Sequence, residues 1–196
     1  MPVREDGRYF LIRRFQKMLE TMRLHLRPWE ERDAESLYKY AKSPLVGPAA
    51  GWPMHTSTAM SREIIKTVFA APQTYAVVLK ETGEPVGSIG LMFDGQSHLP
   101  LKEDEAELGY WIGAPFWGKG LIPEAIRELL RHGFKELGLR AVWCAHFVEN
   151  EKSRRVVEKC GFAYAYTLEQ VVVAEDDVRT ERVTCMTRER WMEFFR

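Results

Sequence analysis

Apolar side chains first alternate and then recur at helical spacing along residues 105–137 of the chain. The alternating part predicts a strand with one buried face and an opposite face that carries Glu107, Gly109 and Trp111. From Pro123 onward the spacing becomes that of an amphipathic helix. The pattern therefore predicts a strand, a glycine-containing turn and a helix in direct succession. The apolar positions are Ala106, Leu108, Tyr110 and Ile112 in the strand and Ile126, Leu129, Leu130, Phe134 and Leu137 in the helix.

Similar patterns predict strands and helices on both sides of this segment. The predicted strands are 22–28, 75–80, 86–93, 105–113, 141–148, 162–173 and 178–186. Helices are expected after Asp33, over 56–69, after Asn150 and from Thr187, because each begins at a plausible capping residue. Residues 94–104 contain a glycine and a proline and predict a mobile connection. We therefore expect a mixed α/β fold whose strongly twisted sheet has about seven strands and flanking helices.

The length of 196 residues and the mass of 22.8 kDa suit a single domain. We expect this domain over residues 22–196, with residues 1–21 forming a leader or an extra helix. The 28 basic and 28 acidic residues give a formal charge of zero, so the total charge does not favour nucleic acid or an anionic membrane as a partner. No long apolar run or signal-peptide pattern is found. The three cysteines lack metal-ligand spacing, which predicts a reduced, cytoplasmic protein without a metal site.

The turn before the predicted helix contains Gly118 and Gly120. Glycines permit positive φ and a close approach of backbone amides to an anion, and the first N–H groups of a helix have no partner within it. The turn therefore predicts a phosphate cradle, although an ordinary tight strand-to-helix turn explains the two glycines equally well. The spacing matches neither the nucleotide P-loop nor the dinucleotide-binding fingerprint.

Two stretches of this segment resemble the acetyl-CoA-binding core of the GNAT N-acetyltransferase superfamily, in particular its ribosomal-protein N-terminal acetyltransferase-like branch. They are Glu107-Leu-Gly-Tyr-Trp-Ile and Trp117-Gly-Lys-Gly-Leu-Ile-Pro-Glu-Ala. A third stretch, Asn150-Glu-Lys-Ser followed by a helix and Gly161-Phe162, resembles a motif of the same branch. The resemblance covers about residues 22–191. It implies acetyl-CoA as co-substrate, bound by Trp111, Ile112, Trp117, Gly118, Lys119, Gly120, Leu121, Asn150 and Ser153.

The resemblance also implies catalytic roles in the attack of an amine on a thioester. Glu107 matches the position that this branch uses for the base, and Ser153 is the expected proton donor to the leaving thiolate. A tyrosine serves as that donor in many members, but Val157 holds its place here. Taken without the resemblance, Glu107 is equally a solvated strand residue, and Asn150 and Ser153 are equally a helix cap and a polar residue of the first turn.

Three further residues are candidates for contact with the acceptor. Trp52 and His55 lie in a loop, residues 43–55, which lines the acceptor cleft in the resembled family, and His146 ends a predicted strand. The alternatives are a packed loop covered by Trp52 and a buried, hydrogen-bonded His146.

The expected function is the transfer of an acetyl group from acetyl-CoA to a protein N-terminus or a small-molecule amine in a ternary complex. A homodimer is possible through the apolar tail and the basic leader. One alternative is an acyl-CoA-binding sensor or interaction module without catalysis, which the bulky Ile122 and the missing tyrosine favour. Another is a nucleotide-binding domain, which would prefer ATP or NAD to coenzyme A.

Overall fold

A computed structural model describes residues 17–195 and contains one mixed sheet of eight strands in the order β1-β2-β3-β4-β5-β6-β8-β7. The sheet confirms the predicted mixed α/β class and adds one strand to the seven expected. That extra strand, β1, has only two residues, too few for periodicity to reveal it. The strands are β1 Leu19–Glu20, β2 Leu24–Arg27, β3 Thr74–Leu79, β4 Pro85–Met92, β5 Glu105–Ile112, β6 Ala141–Phe147, β7 Ala163–Ala174 and β8 Asp177–Thr187.

The predicted leader, residues 1–21, includes β1, which pairs with β2 through Leu19 opposite Leu26 and Glu20 opposite His25. The last residues of that segment therefore belong to the sheet. Its first part, residues 1–16, lies outside the described residues.

The sheet is antiparallel except where β5 meets β6. These two strands are parallel and pair at only three positions, Glu105 with Ala141, Ala106 with Val142 and Glu107 with Trp143. Beyond Glu107, β5 continues to pair with β4 and β6 continues to pair with β8. The two strands therefore diverge and leave a gap in the middle of the sheet.

Within residues 17–195, five α-helices pack around the sheet. They are α1 Ala34–Ala41, α2 Thr58–Thr67, α3 Leu121–Lys135, α4 Glu151–Lys159 and α5 Arg188–Phe194. Side-chain caps begin three of them, because Ser57, Asn150 and Thr187 accept hydrogen bonds from backbone N–H groups of the first turn of α2, α4 and α5. None of the described helices is long and apolar enough to cross a membrane.

The two layers of helices follow from the alternation of side chains along the strands. Leu91 and Leu108 are register partners on one face, and Gly133 of α3 lies against Leu91. The opposite face carries Trp111, whose ring stacks on Trp29 at 6.4 Å. α3 thus packs on one side of the central strands and an aromatic layer on the other. Fully buried core side chains include Leu24, Leu26, Leu37, Tyr75, Ile89, Leu108, Ile126, Leu129, Leu130 and Phe134.

Candidate active site

A cavity of about 1120 Å³ lies where β5 and β6 diverge. Both faces of β5 contribute to its lining, with Glu107 and Trp111 from one face and Tyr110 and Ile112 from the other. An ordinary strand inside a sheet cannot expose both faces to one cavity. The gap that follows the three paired positions makes this possible, so the cavity extends through the sheet.

The glycine turn forms one end of this cavity. Gly118 and Gly120 both adopt left-handed backbone conformations, with φ of 75° and 74°. Both glycines and Leu121 line the cavity. α3 begins at Leu121, two residues before the predicted start at Pro123, because the Gly120 conformation ends the turn there. Within residues 17–195, the backbone N–H groups of 118–122 donate to no acceptor, so they are available to an anion at the positive end of the helix dipole.

An ion pair from the edge of the sheet holds this turn in place. The Glu124 carboxylate, in the first turn of α3, accepts hydrogen bonds from Thr21 Oγ1 at 2.5 Å and from Arg23 Nε at 2.7 Å. Arg23 Nη1 also donates to the Lys119 carbonyl at 3.0 Å. The Lys119 ammonium lies 5.1 Å from the centre of the Phe116 ring, and Lys119 does not line the cavity. Of the predicted cradle residues, Lys119 therefore directs its side chain to Phe116 and away from the cavity.

Trp117 closes the cavity beside the turn. Its indole N–H donates to the Ile112 carbonyl at 3.0 Å, which fixes the ring at the end of β5. The Lys152 ammonium lies 4.0 Å from the centre of this ring, a distance that suits a cation–π interaction. Trp117, Ile112 and Lys152 all line the cavity. This end of the cavity therefore combines free amides with a nearby positive charge.

Glu107 is buried, with 5% of its surface exposed, and lines the cavity. Burial excludes the interpretation as a solvated strand residue. Its Oε2 atom accepts a hydrogen bond from Ser97 Oγ at 2.5 Å. Burial raises the pKa of Glu107 above its usual value, while the Ser97 donor and nearby His98 act in the opposite direction. A carboxylate with a raised pKa is a better proton acceptor at neutral pH.

Ser153 lies in the first turn of α4 and lines the same cavity. Its N–H donates to Asn150 Oδ1 at 3.1 Å, so the capping role of Asn150 is present. Asn150 Nδ2 donates to the Ala49 carbonyl at 3.0 Å and ties α4 to the loop 43–55. The Tyr110 hydroxyl donates to the Ser153 carbonyl at 3.4 Å, and burial raises the pKa of Tyr110 well above its usual value. Two hydroxyl groups thus line the cavity where α4 begins.

The predicted acceptor contacts separate into two groups. His146 is buried and lines the cavity, with Nδ1 donating to the Phe147 carbonyl at 2.9 Å. Trp52 and His55 do not line it. The Trp52 ring packs edge-on against Trp111 at 5.8 Å, and His55 Nδ1 is hydrogen bonded to Ser61 Oγ at 2.8 Å. Burial lowers the pKa of His55. These two residues form a packed layer behind Trp111.

Several cavity residues were not predicted from the sequence, namely Tyr110, Ser97, His98, Lys152 and Glu181. Tyr110 lies on the face of β5 that alternation assigns to the core, and only the gap in the sheet exposes it. Ser97 and His98 belong to the connection 94–104, which contains no helix or strand but is anchored by buried Leu99 and Leu101. The signal that could have revealed them is a pair of polar residues directly before the apolar Leu99.

The described residues contain no group of three or more His, Cys, Asp or Glu side chains that could hold a metal ion. Cys144 lines the cavity but is fully buried, and burial raises its pKa well above the usual value. A thiol in this state is a poor nucleophile, because the thiolate is the reactive form.

Comparisons with known proteins identify similar sequences and similar folds. The "uncharacterized N-acetyltransferase YoaA" of Bacillus subtilis is 30% identical over 158 residues, which cover 78% of this chain and 86% of YoaA. YdaF of the same organism, provisionally named a ribosomal N-acetyltransferase, is 42% identical over 80 residues, 37% of this chain and 44% of YdaF. The structure of Mycobacterium smegmatis RimJ in complex with CoA-disulfide has the same fold, with a TM-score of 0.72 at 21% identity over 93% of this chain and 96% of RimJ.

The family model for the acetyltransferase (GNAT) domain matches residues 23–163. This range runs from the turn before β2 to the first residue of β7. It contains the diverging strands, the glycine turn, Glu107 and Ser153. The match spans most of the sheet and the central cavity, and on this evidence the chain belongs to the GNAT acetyltransferase family.

Proposed function

We propose that the protein is an N-acetyltransferase that moves the acetyl group of acetyl-CoA directly to a primary amine while both substrates are bound. The observation that best supports this proposal is that one cavity joins the free amides of 118–122 to the Glu107 carboxylate and the Ser153 hydroxyl. Anion binding and proton transfer are the two capacities that such a reaction requires.

The donor end of the cavity fits coenzyme A. GNAT enzymes use acetyl-CoA, whose diphosphate needs hydrogen-bond donors and positive charge. The N–H groups of 118–122 and the helix dipole of α3 provide these, and Lys152 adds a cation nearby. Gly118 and Gly120 keep the approach to the amides open, because no side chain grows from their Cα atoms. In this proposal the pantetheine arm passes Trp111 and Ile112 and is hydrogen bonded by Asn150.

Glu107 is the proposed base. An amine is mostly protonated at neutral pH and must lose a proton before its nitrogen attacks the thioester carbonyl. The Glu107 carboxylate takes this proton, releases it to solvent, and takes the second N–H proton as the new C–N bond forms. The C–S bond then breaks, and the thiolate takes a proton from the Ser153 hydroxyl. Ser153 regains a proton from solvent as Glu107 releases the second one, so one proton is released in each turnover. Direct transfer is favoured over an acetylated protein intermediate because Cys144, the thiol that lines the cavity, is held in its unreactive protonated form.

The acceptor end of the cavity is apolar with acidic groups at its base. The loop 43–55 and the last residues of β7 provide the apolar side chains, including Leu45, Val46, Val171 and Val173, while Glu107 and Glu181 provide the carboxylates. This lining suits an ammonium group attached to an apolar body. Both a protein N-terminus and a small amine have this chemistry, and the name of YdaF supports the first. We assign acceptor contact to His146 and a supporting role to Trp52 and His55.

A screen of peptide and small-molecule amines with acetyl-CoA tests the proposal through release of the free thiol. We expect turnover with at least one class of primary amine and none with the matching tertiary amines. Binding of acetyl-CoA without turnover on any acceptor would instead indicate a sensor that has lost catalysis.

Replacement of Glu107 by Gln tests the proposed base. We expect kcat to fall by roughly 10²-fold or more, the usual contribution of a general base, while the Kd of acetyl-CoA stays unchanged. Glu105→Gln is the matched control, because Glu105 is buried on the same strand but binds Arg140 and Trp143 and does not line the cavity. Equal loss of activity in both variants would remove Glu107 from the base role.

A further inference from the structure

The connection between β4 and β5 places polar side chains directly against Glu107. Ser97 Oγ donates to Glu107 Oε2 at 2.5 Å and accepts from the Leu99 N–H at 2.9 Å. Leu99 and Leu101 are buried against Val183 of β8. The segment around residue 98 is therefore fixed on both sides, and the position of the His98 ring is defined by its neighbours.

His98 lies between two buried carboxylates. Its Nε2 atom is 2.8 Å from Glu181 Oε2, and its Nδ1 atom is 3.9 Å from Glu107 Oε2. Glu107 and Glu181 are 5% and 7% exposed. Within residues 17–195, no other cationic side chain lies within 4 Å of either carboxylate. The hydrogen bond with Glu181 directs the other ring nitrogen toward Glu107.

The surroundings favour the charged form of this imidazole. The hydrogen bond to Glu181 raises the pKa of His98, and the nearby Glu107 charge acts in the same direction. The other titratable groups close to Glu107 are Glu181 on β8, whose charge raises the pKa of Glu107, and Cys144 on β6 and Tyr166 on β7, both neutral when protonated. His146 of β6 lines the same cavity with its Nδ1 bonded to the Phe147 carbonyl. His98 is thus the positive charge that directly faces the proposed base.

A buried carboxylate can act as a base only if it stays ionised, and His98 between Glu107 and Glu181 bears on this requirement. Burial favours the neutral acid form of Glu107, and a protonated carboxyl group cannot accept the proton of the amine. We propose that His98, held in place by Glu181, is a positioning residue whose positive charge keeps Glu107 in its carboxylate form during turnover. This inference rests on the proposed function, because it assumes that Glu107 is the base.

The same cluster affects the choice of acceptor. Two carboxylates and one imidazolium leave one net negative charge at the base of the acceptor end of the cavity. An amine that arrives as an ammonium is attracted to this charge, whereas an acceptor with a carboxylate beside its amine is repelled. The cluster therefore serves two purposes, since it maintains the base and selects cationic acceptors.

Titration of the Glu107 side chain by NMR tests the inference without requiring turnover. Protein labelled with ¹³C at the glutamate carboxyl carbons is titrated, and the Glu107 signal is assigned from its absence in Glu107→Gln. In His98→Asn we expect the Glu107 midpoint to rise by about 1 pH unit, the lower end of the effect of an opposite charge within ~4–6 Å. His98 is half exposed, with 46% of its side chain accessible, so the substitution leaves the core intact.

Two further variants separate charge from structure. His98→Lys keeps a positive charge, and we expect its Glu107 midpoint to return close to that of the unmodified protein. His25→Asn is the matched control, because His25 of β2 has its Nδ1 atom 3.7 Å from Glu20 Oε1 of β1, and neither residue lines the cavity. It should leave the Glu107 midpoint unchanged. An unshifted midpoint in His98→Asn, or equal shifts in the Asn and Lys variants, would overturn the inference.

The pH profile of kcat/KM, measured with an acceptor from the amine screen, gives the second readout. Activity needs the carboxylate form of Glu107, so the acidic limb of the profile should move to higher pH in His98→Asn. At pH values above this limb, kcat/KM of the variant and of the unmodified protein should become equal. Absence of acetyl transfer by the unmodified protein would reject the proposed function, while the titration would still decide the charge effect. Normal transfer with an unshifted profile in His98→Asn would reject the inference alone.

Discussion

At the scale of single residues, two hydroxyl groups line the cavity, and in the proposed reaction each is a candidate proton donor to the leaving thiolate. Ser153 and Tyr110 approach each other from α4 and β5, with the Tyr110 hydroxyl 3.4 Å from the Ser153 carbonyl. Because burial raises the pKa of Tyr110, this hydroxyl stays protonated throughout the neutral range. The long hydrogen bond holds it only weakly. Substitution of Ser153 and of Tyr110 can therefore decide which hydroxyl group is the proton donor.

Single substitutions of the two hydroxyl residues should have unequal effects. For Ser153→Ala we expect kcat to fall by about tenfold, less than the full ~10²–10⁴ of acid catalysis because a thiolate is a good leaving group. For Tyr110→Phe we expect kcat within about twofold of the unmodified protein, since the ring remains in place. Thiol release under saturating acetyl-CoA measures both. A larger loss in Tyr110→Phe would transfer the role of proton donor to Tyr110.

Among the site residues predicted from the sequence, Glu107, Ser153 and His146 line the cavity, whereas Lys119, Trp52 and His55 do not. Alternation along β5 placed Glu107 opposite the apolar face, but it did not reveal that a second covering layer buries this face as well. The contact between His98 and Glu181 joins positions 83 residues apart, and such pairing has no local signal in the chain. Tyr110 was assigned to the core because the gap beside β5 results from the pairing of distant strands, which also has no local signal in the chain.

At the scale of elements, the turn between β5 and α3 depends on two glycines and on a neighbouring ion pair. Gly118 and Gly120 take a conformation that other residues adopt only with strain, and Arg23 fixes the turn from the side through Glu124 and Lys119. The direction of the free N–H groups therefore depends on this local geometry. A small change in the turn should affect anion binding before it affects the fold.

Gly120→Ala tests this expectation, with Gly83→Ala as its matched control. Both glycines have positive φ, 74° and 70°, so each substitution should lower the free energy of unfolding by about 1 kcal/mol. Gly83 lies in the turn between β3 and β4, outside the cavity. We expect only Gly120→Ala to weaken acetyl-CoA binding, by about tenfold or ~1.4 kcal/mol, measured by calorimetry. Equal affinities in the two variants would contradict a binding role for the turn.

Most helix starts that depend on capping chemistry were predictable. Thr56 or Ser57, Asn150 and Thr187 were expected to begin helices, and Ser57, Asn150 and Thr187 accept the capping hydrogen bond. Asp33 was expected to cap α1, but its side chain accepts no capping hydrogen bond from that helix. The start of α3 was predicted two residues late, because Pro123 suggested the first turn while the conformation of Gly120 determines the boundary. Strand β1 was missed because its two residues become a strand only by pairing with β2.

At the scale of the whole molecule, the sheet consists of two parts joined by a short connection. Strands β1 to β5 form one part and β6, β8 and β7 form the other, and three parallel positions link them directly. α3 contacts strands on both sides of the gap, including β4, β5 and β6. Backbone groups that face the gap beyond Glu107 lack a parallel partner, so a ligand in the gap can bind them.

Hydrogen exchange should detect this ligand effect. We expect acetyl-CoA to slow exchange at amides within residues 108–112 and 144–147, because these stretches border the gap and lose contact with water. The turn between β3 and β4, residues 80–84, should exchange at the same rate with and without the ligand. Mass spectrometry of peptides covering the three regions provides the measurement. Uniform slowing across all three would indicate general stabilisation and would contradict binding between the two strands.

The cavity crosses the sheet, and in the proposed reaction coenzyme A enters it at the turn of residues 118–122 while the amine enters beside the loop 43–55. On this proposal, neither molecule must depart before the other arrives. The order in which the two substrates bind can then differ among acceptors, while the transfer of the acetyl group stays the same. A change of acceptor during evolution would then need substitutions only around the acceptor entrance. The residues around the coenzyme A entrance would stay the same and bind the same donor.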